Sequence, residues 1–186
     1  MRRNNSQMNL YGKGSLPIVG CLVLFSVVLG TTDLGFIPVP TAAKSATIMH
    51  LPTIVASLLE GWPAGMIVGA VFGLTSMYTP SSAVASDPLV VLLPRILVGI
   101  TPYLTYRWTG MLGEYSRLGL AAVVGTLTNT VGFLGMAWFL GYFDFETIVD
   151  VAWKHGLPEI VVAVLIVLPA VVLLRKAQVW IETVLD

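Results

Sequence analysis

The chain has 186 residues, of which 56% are hydrophobic and only 11% charged, with formal net charge zero. Soluble domains usually carry about a quarter charged residues, so too few polar side chains are present here to cover a water-facing surface. Together with a mean hydropathy of +0.85, this points to the bilayer as solvent and to an all-α membrane protein with no soluble catalytic domain.

Spanning about 30 Å of hydrocarbon takes roughly 20 apolar residues. Six candidate helices follow in chain order, at about 16–30, 48–60, 63–77, 89–106, 118–140 and 157–174. They are expected to form one transmembrane domain over residues 1–186. The first follows Lys13 and lacks a small-residue cleavage site, so it is read as a retained helix. It holds Cys21, the single cysteine, which excludes an internal disulfide and is read as apolar filler. Ser26 and Gly30 give small-x-x-x-small spacing, which lets helices approach closely, either within the protein or against a partner.

The segment 31–47 is long for so small a membrane protein. Its Ile37-Pro38-Val39-Pro40 stretch favours extended backbone. Thr41, Lys44, Ser45 and His50 follow, and the segment reads as a lid. Glu60-Gly61-Trp62-Pro63 is a tight turn in which Gly supplies positive φ and Pro starts the next helix. Gly65, Gly69 and Gly73 lay a small-residue stripe on the third helix. Asp87-Pro88 fits an N-cap followed by Pro at the first helical position.

Seven basic residues fall on one side of the predicted membrane (Arg2, Arg3, Lys13, Arg107, Arg117, Arg175 and Lys176) and two on the other (Lys44 and Lys154). The positive-inside rule then places both termini in the cytoplasm. Most Trp and Tyr residues fall near predicted helix ends, where an interfacial belt sits.

Two charges interrupt the spans. Arg95 lies in the fourth helix and Glu159 in the sixth. A charge at membrane depth costs at least about 2.5 kcal/mol, so it faces a cavity or a partner. Here an ion pair between them and a shared external pocket are both open. Thr126, Thr128, Asn129 and Thr130 interrupt the fifth helix. A Thr hydroxyl back-bonds readily to its own helix, whereas an amide in lipid needs a partner, so Asn129 is a candidate ligand contact. Nothing supplies a phosphate-binding loop, a His-Glu-x-x-His helix or a nucleophile elbow. Two histidines are too few for a multi-histidine metal site. No enzyme activity, cofactor or nucleic-acid partner is expected.

The stretch Ile37–Val131 resembles the substrate-binding S components of energy-coupling factor (ECF) vitamin transporters. The elements are Ile37-Pro-Val-Pro-Thr41, His50-Leu-Pro-Thr-Ile-Val-Ala56, Gly61-Trp-Pro-Ala-Gly-Met-Ile-Val-Gly69, Asp87-Pro-Leu-Val-Val-Leu-Leu-Pro-Arg95 with Ile-Leu-Val-Gly99, and Val124-Gly-Thr-Leu-Thr-Asn-Thr130. The branch with pantothenate and pyridoxine components is the nearest in pattern. The resemblance implies a six-helix protein of the bacterial cell membrane. It would capture a vitamin from outside under a lid and dock through its first helices on a T component coupled to two ATPases. ATP hydrolysis belongs to those partners. By position, the implied substrate contacts are Arg95, Asn129, Glu159, Lys44, His50 and Thr126, and the implied docking pair is Ser26 and Gly30. Arg95 and Lys44 would suit a carboxylate such as that of pantothenate. The competing reading is a stand-alone secondary transporter of a small polar solute. That would need internal repeats and broken helices at mid-membrane, and no convincing repeat is visible.

Overall fold

The computed structural model describes residues 15–38, 45–78 and 84–185. Seven helices carry the fold: α1 (Ser15–Thr31), α2 (Leu51–Glu60), α3 (Trp62–Tyr78), α4 (Pro88–Val98), α5 (Thr101–Trp108), α6 (Glu114–Phe139) and α7 (Phe145–Leu185). Between α1 and α2 runs a two-stranded antiparallel ribbon, β1 (Phe36–Pro38) and β2 (Ser45–Thr47), with Phe36 opposite Thr47 and Pro38 opposite Ser45. Three stretches are long and apolar enough to cross a membrane, namely Pro88–Trp108, Glu114–Phe139 and Phe145–Trp180. Three helices are apolar but shorter: Leu16–Thr31, Leu51–Glu60 and Trp62–Tyr78.

The short α2 is the centre of the bundle. Its ten residues rise only about 15 Å, and all of them are buried. Leu51, Ile54, Val55 and Leu58 pack against Leu118, Ala121 and Ala122 of α6 and Ala163, Val167 and Val171 of α7. A helix buried on every side belongs at the centre of a bundle, and its Thr53 and Ser57 are short enough to be carried inward with it. The outward faces of the surrounding helices carry Leu24, Ile67, Leu74, Val131, Leu165 and Leu173, all exposed. In water these would be a liability; against lipid they are the expected surface.

The glycine stripe of α3 serves internal packing. A Cβ on Gly65 would collide with the Gly99 backbone, and one on Gly69 with the Arg95 carbonyl. α3 and α4 therefore touch backbone to backbone, which only Gly permits. Gly61 (φ 88°) and Gly141 (φ 78°) supply the left-handed turns after α2 and α6.

Three expected boundaries shift, each for a physical reason. The segment 89–106 breaks into α4 and α5, because Gly99 and Ile100 turn back onto the carbonyls of Ile96 and Leu97. Pro102 lacks the N–H that a continuous helix would need there. The second helix starts at Leu51 rather than 48, with His50 at its N-cap position and a proline in its first turn. The last helix runs 41 residues rather than 157–174. Its polar overhangs stay helical, one of them supported by Lys154 bonded to Asp150 one turn earlier. Pro158 and Pro169 lie inside α7, as neighbouring helices allow within membranes.

One end of the bundle is fastened by a polar network. The Tyr106 ring lies between the Arg117 guanidinium at 3.8 Å and that of Arg175 at 5.1 Å. Its hydroxyl donates to Glu114, which also takes Arg175 as ion-pair partner. Arg175 further donates to the Leu58 carbonyl at the end of α2, and Gln178 donates to Glu60. Four helices meet there.

At the opposite end, Asp87 caps α4 by accepting from the Leu89 N–H at 2.9 Å. The Tyr142 hydroxyl, donating to Asp87 Oδ2 at 2.9 Å, is the main cause that holds this carboxyl below the usual carboxylate range. A depressed carboxylate stabilises the fold above its unfolded value, and the gain is lost as pH falls through the lowered folded value. Tyr142→Phe is expected to lower the thermal midpoint near neutral pH and to flatten the acid limb of the midpoint-against-pH profile, since less stability is left to lose. A profile that superimposes on wild type would show that this bond contributes nothing.

Candidate functional site

α4, α6, α7 and β2 enclose a cavity of about 230 Å³. Its polar lining is Arg95, Asn129, Thr130, Glu159, His155 and Thr47, and its apolar lining is Phe133, Leu134 and Val151. Helical spacing explains the set. Asn129, Thr130 and Phe133 occupy one face of α6, and Val151, His155 and Glu159 recur every four residues along α7.

Arg95 is buried with 9% exposure, yet among the described residues it has no carboxylate partner. Ion pairs among the described residues are Glu114–Arg117, Asp150–Lys154 and Glu114–Arg175. The Arg95–Glu159 pair that the sequence left open does not form. Instead Arg95 Nη1 donates to the Val90 carbonyl at 3.3 Å, and the guanidinium lies over the rings of Phe72 (5.3 Å) and Phe133 (4.8 Å). Cation–π attraction offsets part of its desolvation. Its Nε–H has no partner, and neither does the buried Asn129 Oδ1. Buried polar atoms are nearly always paired, so an orphaned donor and an orphaned acceptor leave this cavity with hydrogen-bonding capacity to spare.

Glu159 is held differently. Its Oε1 accepts the Thr47 backbone N–H at 3.3 Å and its Oε2 accepts the Thr130 hydroxyl at 3.2 Å. The carboxylate thereby ties the ribbon to α6 and α7. Each oxygen keeps lone-pair capacity for a further donor.

The remaining sequence candidates fall elsewhere. His50 and Thr126 are fully buried and bonded to each other, Nε2 to Oγ1 at 3.1 Å, away from the cavity lining. They join α2 to α6. Thr126→Val is expected to leave both ring nitrogens of His50 without partners and to lower stability by about 1–3 kcal/mol. Thermal unfolding checks this; a midpoint equal to wild type would show that the bond is worth nothing. Lys44 lies outside the described residues. Ser26 and Gly30 are turned inward. Ser26 is fully buried, and a Cβ on Gly30 would lie 2.7 Å from Thr75 Oγ1. Their spacing serves the contact between α1 and α3.

Sequence reasoning missed Thr47, Phe133 and His155. The four-residue spacing of His155 from Glu159 was a usable signal. Phe133 carried none, being one aromatic among many in an apolar helix.

The pattern of the family described as "ECF transporter, substrate-specific component" matches residues 15–176. The chain belongs to that family. Among curated proteins, the pantothenic acid transporter PanT of Lactococcus lactis subsp. cremoris (strain MG1363) is 32% identical over 161 residues, covering 71% of this chain and 79% of that protein. As an ECF substrate-specific component, the chain is a membrane-embedded transport subunit, and its cavity is the place in the fold to look for substrate.

Proposed function

We propose that this chain is the high-affinity capture subunit of an ECF importer in a bacterial cell membrane, and that pantothenate is its substrate. The observation that carries the reading is the cavity with a buried, carboxylate-free Arg95 beside the unpartnered oxygen of Asn129. Pantothenate supplies the missing complements: a carboxylate for the guanidinium, and amide and hydroxyl donors for Asn129 and Glu159. The similarity to PanT supports the same substrate.

In this reading the chain is one domain of six membrane crossings, with α4 and α5 together making the fourth. Both termini are cytoplasmic, since Arg107, Arg117, Arg175 and Lys176 gather at one end of the bundle. The cavity then opens on the external side beneath the ribbon. The chain hands its substrate to a T component coupled to two ATPases, which hydrolyse ATP, and it reorients in the membrane to release inward.

The test is native mass spectrometry of the purified chain, followed by titration calorimetry with pantothenate and pyridoxine. One-to-one pantothenate binding is expected. A folded protein that binds neither would overturn the pantothenate assignment. Substrate accumulation in liposomes containing this chain alone would overturn the need for partners.

A further inference from the structure

Resting on the capture reading above, we propose that Glu159 limits the charge of the substrate. The cavity takes a monoanion bearing hydroxyl or amide donors, and rejects a substrate with a second anionic group at its donor-bearing end.

The cavity presents one cation and one anion, and they are not paired with each other. Arg95 is the place for a substrate carboxylate: its Nε–H is free, and its neighbours are the Phe72 and Phe133 rings and the Val90 carbonyl. No lysine or second arginine lines the cavity among the described residues. Glu159 accepts through both oxygens, from Thr47 N–H and Thr130 O–H, and in its ionised form it offers acceptors only. Asn129 Oδ1 is a further acceptor without a donor. Away from Arg95, Glu159 and the Asn129 oxygen therefore ask for donors. A hydroxyl or amide N–H satisfies it. A phosphate or second carboxylate brings acceptors to acceptors and negative charge to negative charge, in a partly desolvated site where the repulsion is screened little.

Three ligands separate charge from size: pantothenate, its phosphate ester at the terminal hydroxyl, and the acetate ester at the same hydroxyl. Calorimetry on the wild-type protein is expected to show the acetate ester binding at least about tenfold more tightly than the phosphate ester. Glu159→Gln, which keeps the shape and one acceptor, is expected to narrow that ratio by about tenfold. Glu159→Ala should narrow it in the same direction, so misfolding of one variant leaves the other to decide. Equal rejection of both esters, or a ratio unchanged in a folded Glu159 variant, overturns the charge limit alone. Failure of the wild type to bind pantothenate overturns the capture reading, and this inference with it.

Discussion

Arg95→Met is expected to weaken pantothenate binding by about a hundredfold or more while leaving the unliganded protein at least as stable as wild type. Truncating one member of a buried charge pair costs roughly 2–5 kcal/mol of affinity, and the substrate carboxylate would lose the guanidinium that lines the cavity. Without substrate the balance is the reverse. The guanidinium is buried, bonded to one carbonyl and packed on two rings, with no ion pair among the described residues. An apolar side chain of similar length removes that desolvation cost and keeps contact with Phe72 and Phe133. Calorimetry and thermal unfolding of the ligand-free protein check the two halves separately. Affinity retained in Arg95→Met would remove Arg95 from the site. Lost stability would make it a structural residue first.

Gly99→Val is expected to be the most damaging single substitution in the fold. Any Cβ there meets the Gly65 carbonyl carbon and the Met66 nitrogen. These are backbone atoms, so relief requires the helices to separate rather than a side chain to rotate. Overpacking of this kind costs about 3 kcal/mol or more. The damage reaches the cavity as well, because Gly69, one turn along α3, sits against the Arg95 carbonyl. Pushing the helices apart moves Arg95, so affinity falls together with stability. Gly135→Ala is the contrasting control. A Cβ there meets nothing within 4 Å, and the helix-propensity gain is up to about 1 kcal/mol. Thermal midpoints of the two variants should move in opposite directions. A folded Gly99→Val protein with a wild-type midpoint would refute the close-approach argument.

These effects also show what the sequence makes legible. Arg95, Asn129 and Glu159 stand out because a polar group amid apolar residues needs a reason, and all three line one cavity. His50 and Thr126 stand out by the same logic but bond to each other instead, through His50 Nε2. Polarity in an apolar run signals a partner without saying whether that partner is the protein or a ligand. Periodicity has a similar blind spot. The spacing of Ser26 and Gly30 announces close packing, yet not the side on which it occurs, and here it is inward against Thr75. Hydropathy finds the apolar part of α7 but not its polar ends, since the residues that leave the membrane keep their helical hydrogen bonds. The break at Gly99 was readable in principle from Pro102, but an unbroken apolar run conceals it.

The unbroken length of α7 has a practical consequence. At 1.5 Å per residue its 41 residues form a rod of about 60 Å, twice the thickness of the hydrocarbon layer. Two spin labels, one near Glu146 and one near Val179, would act as a fixed ruler carried by the protein. If the subunit turns as one body during transport, the distance between the labels stays constant while their depths in the lipid change in opposite senses. If instead the helix bends at Pro158 or Pro169, the ruler shortens.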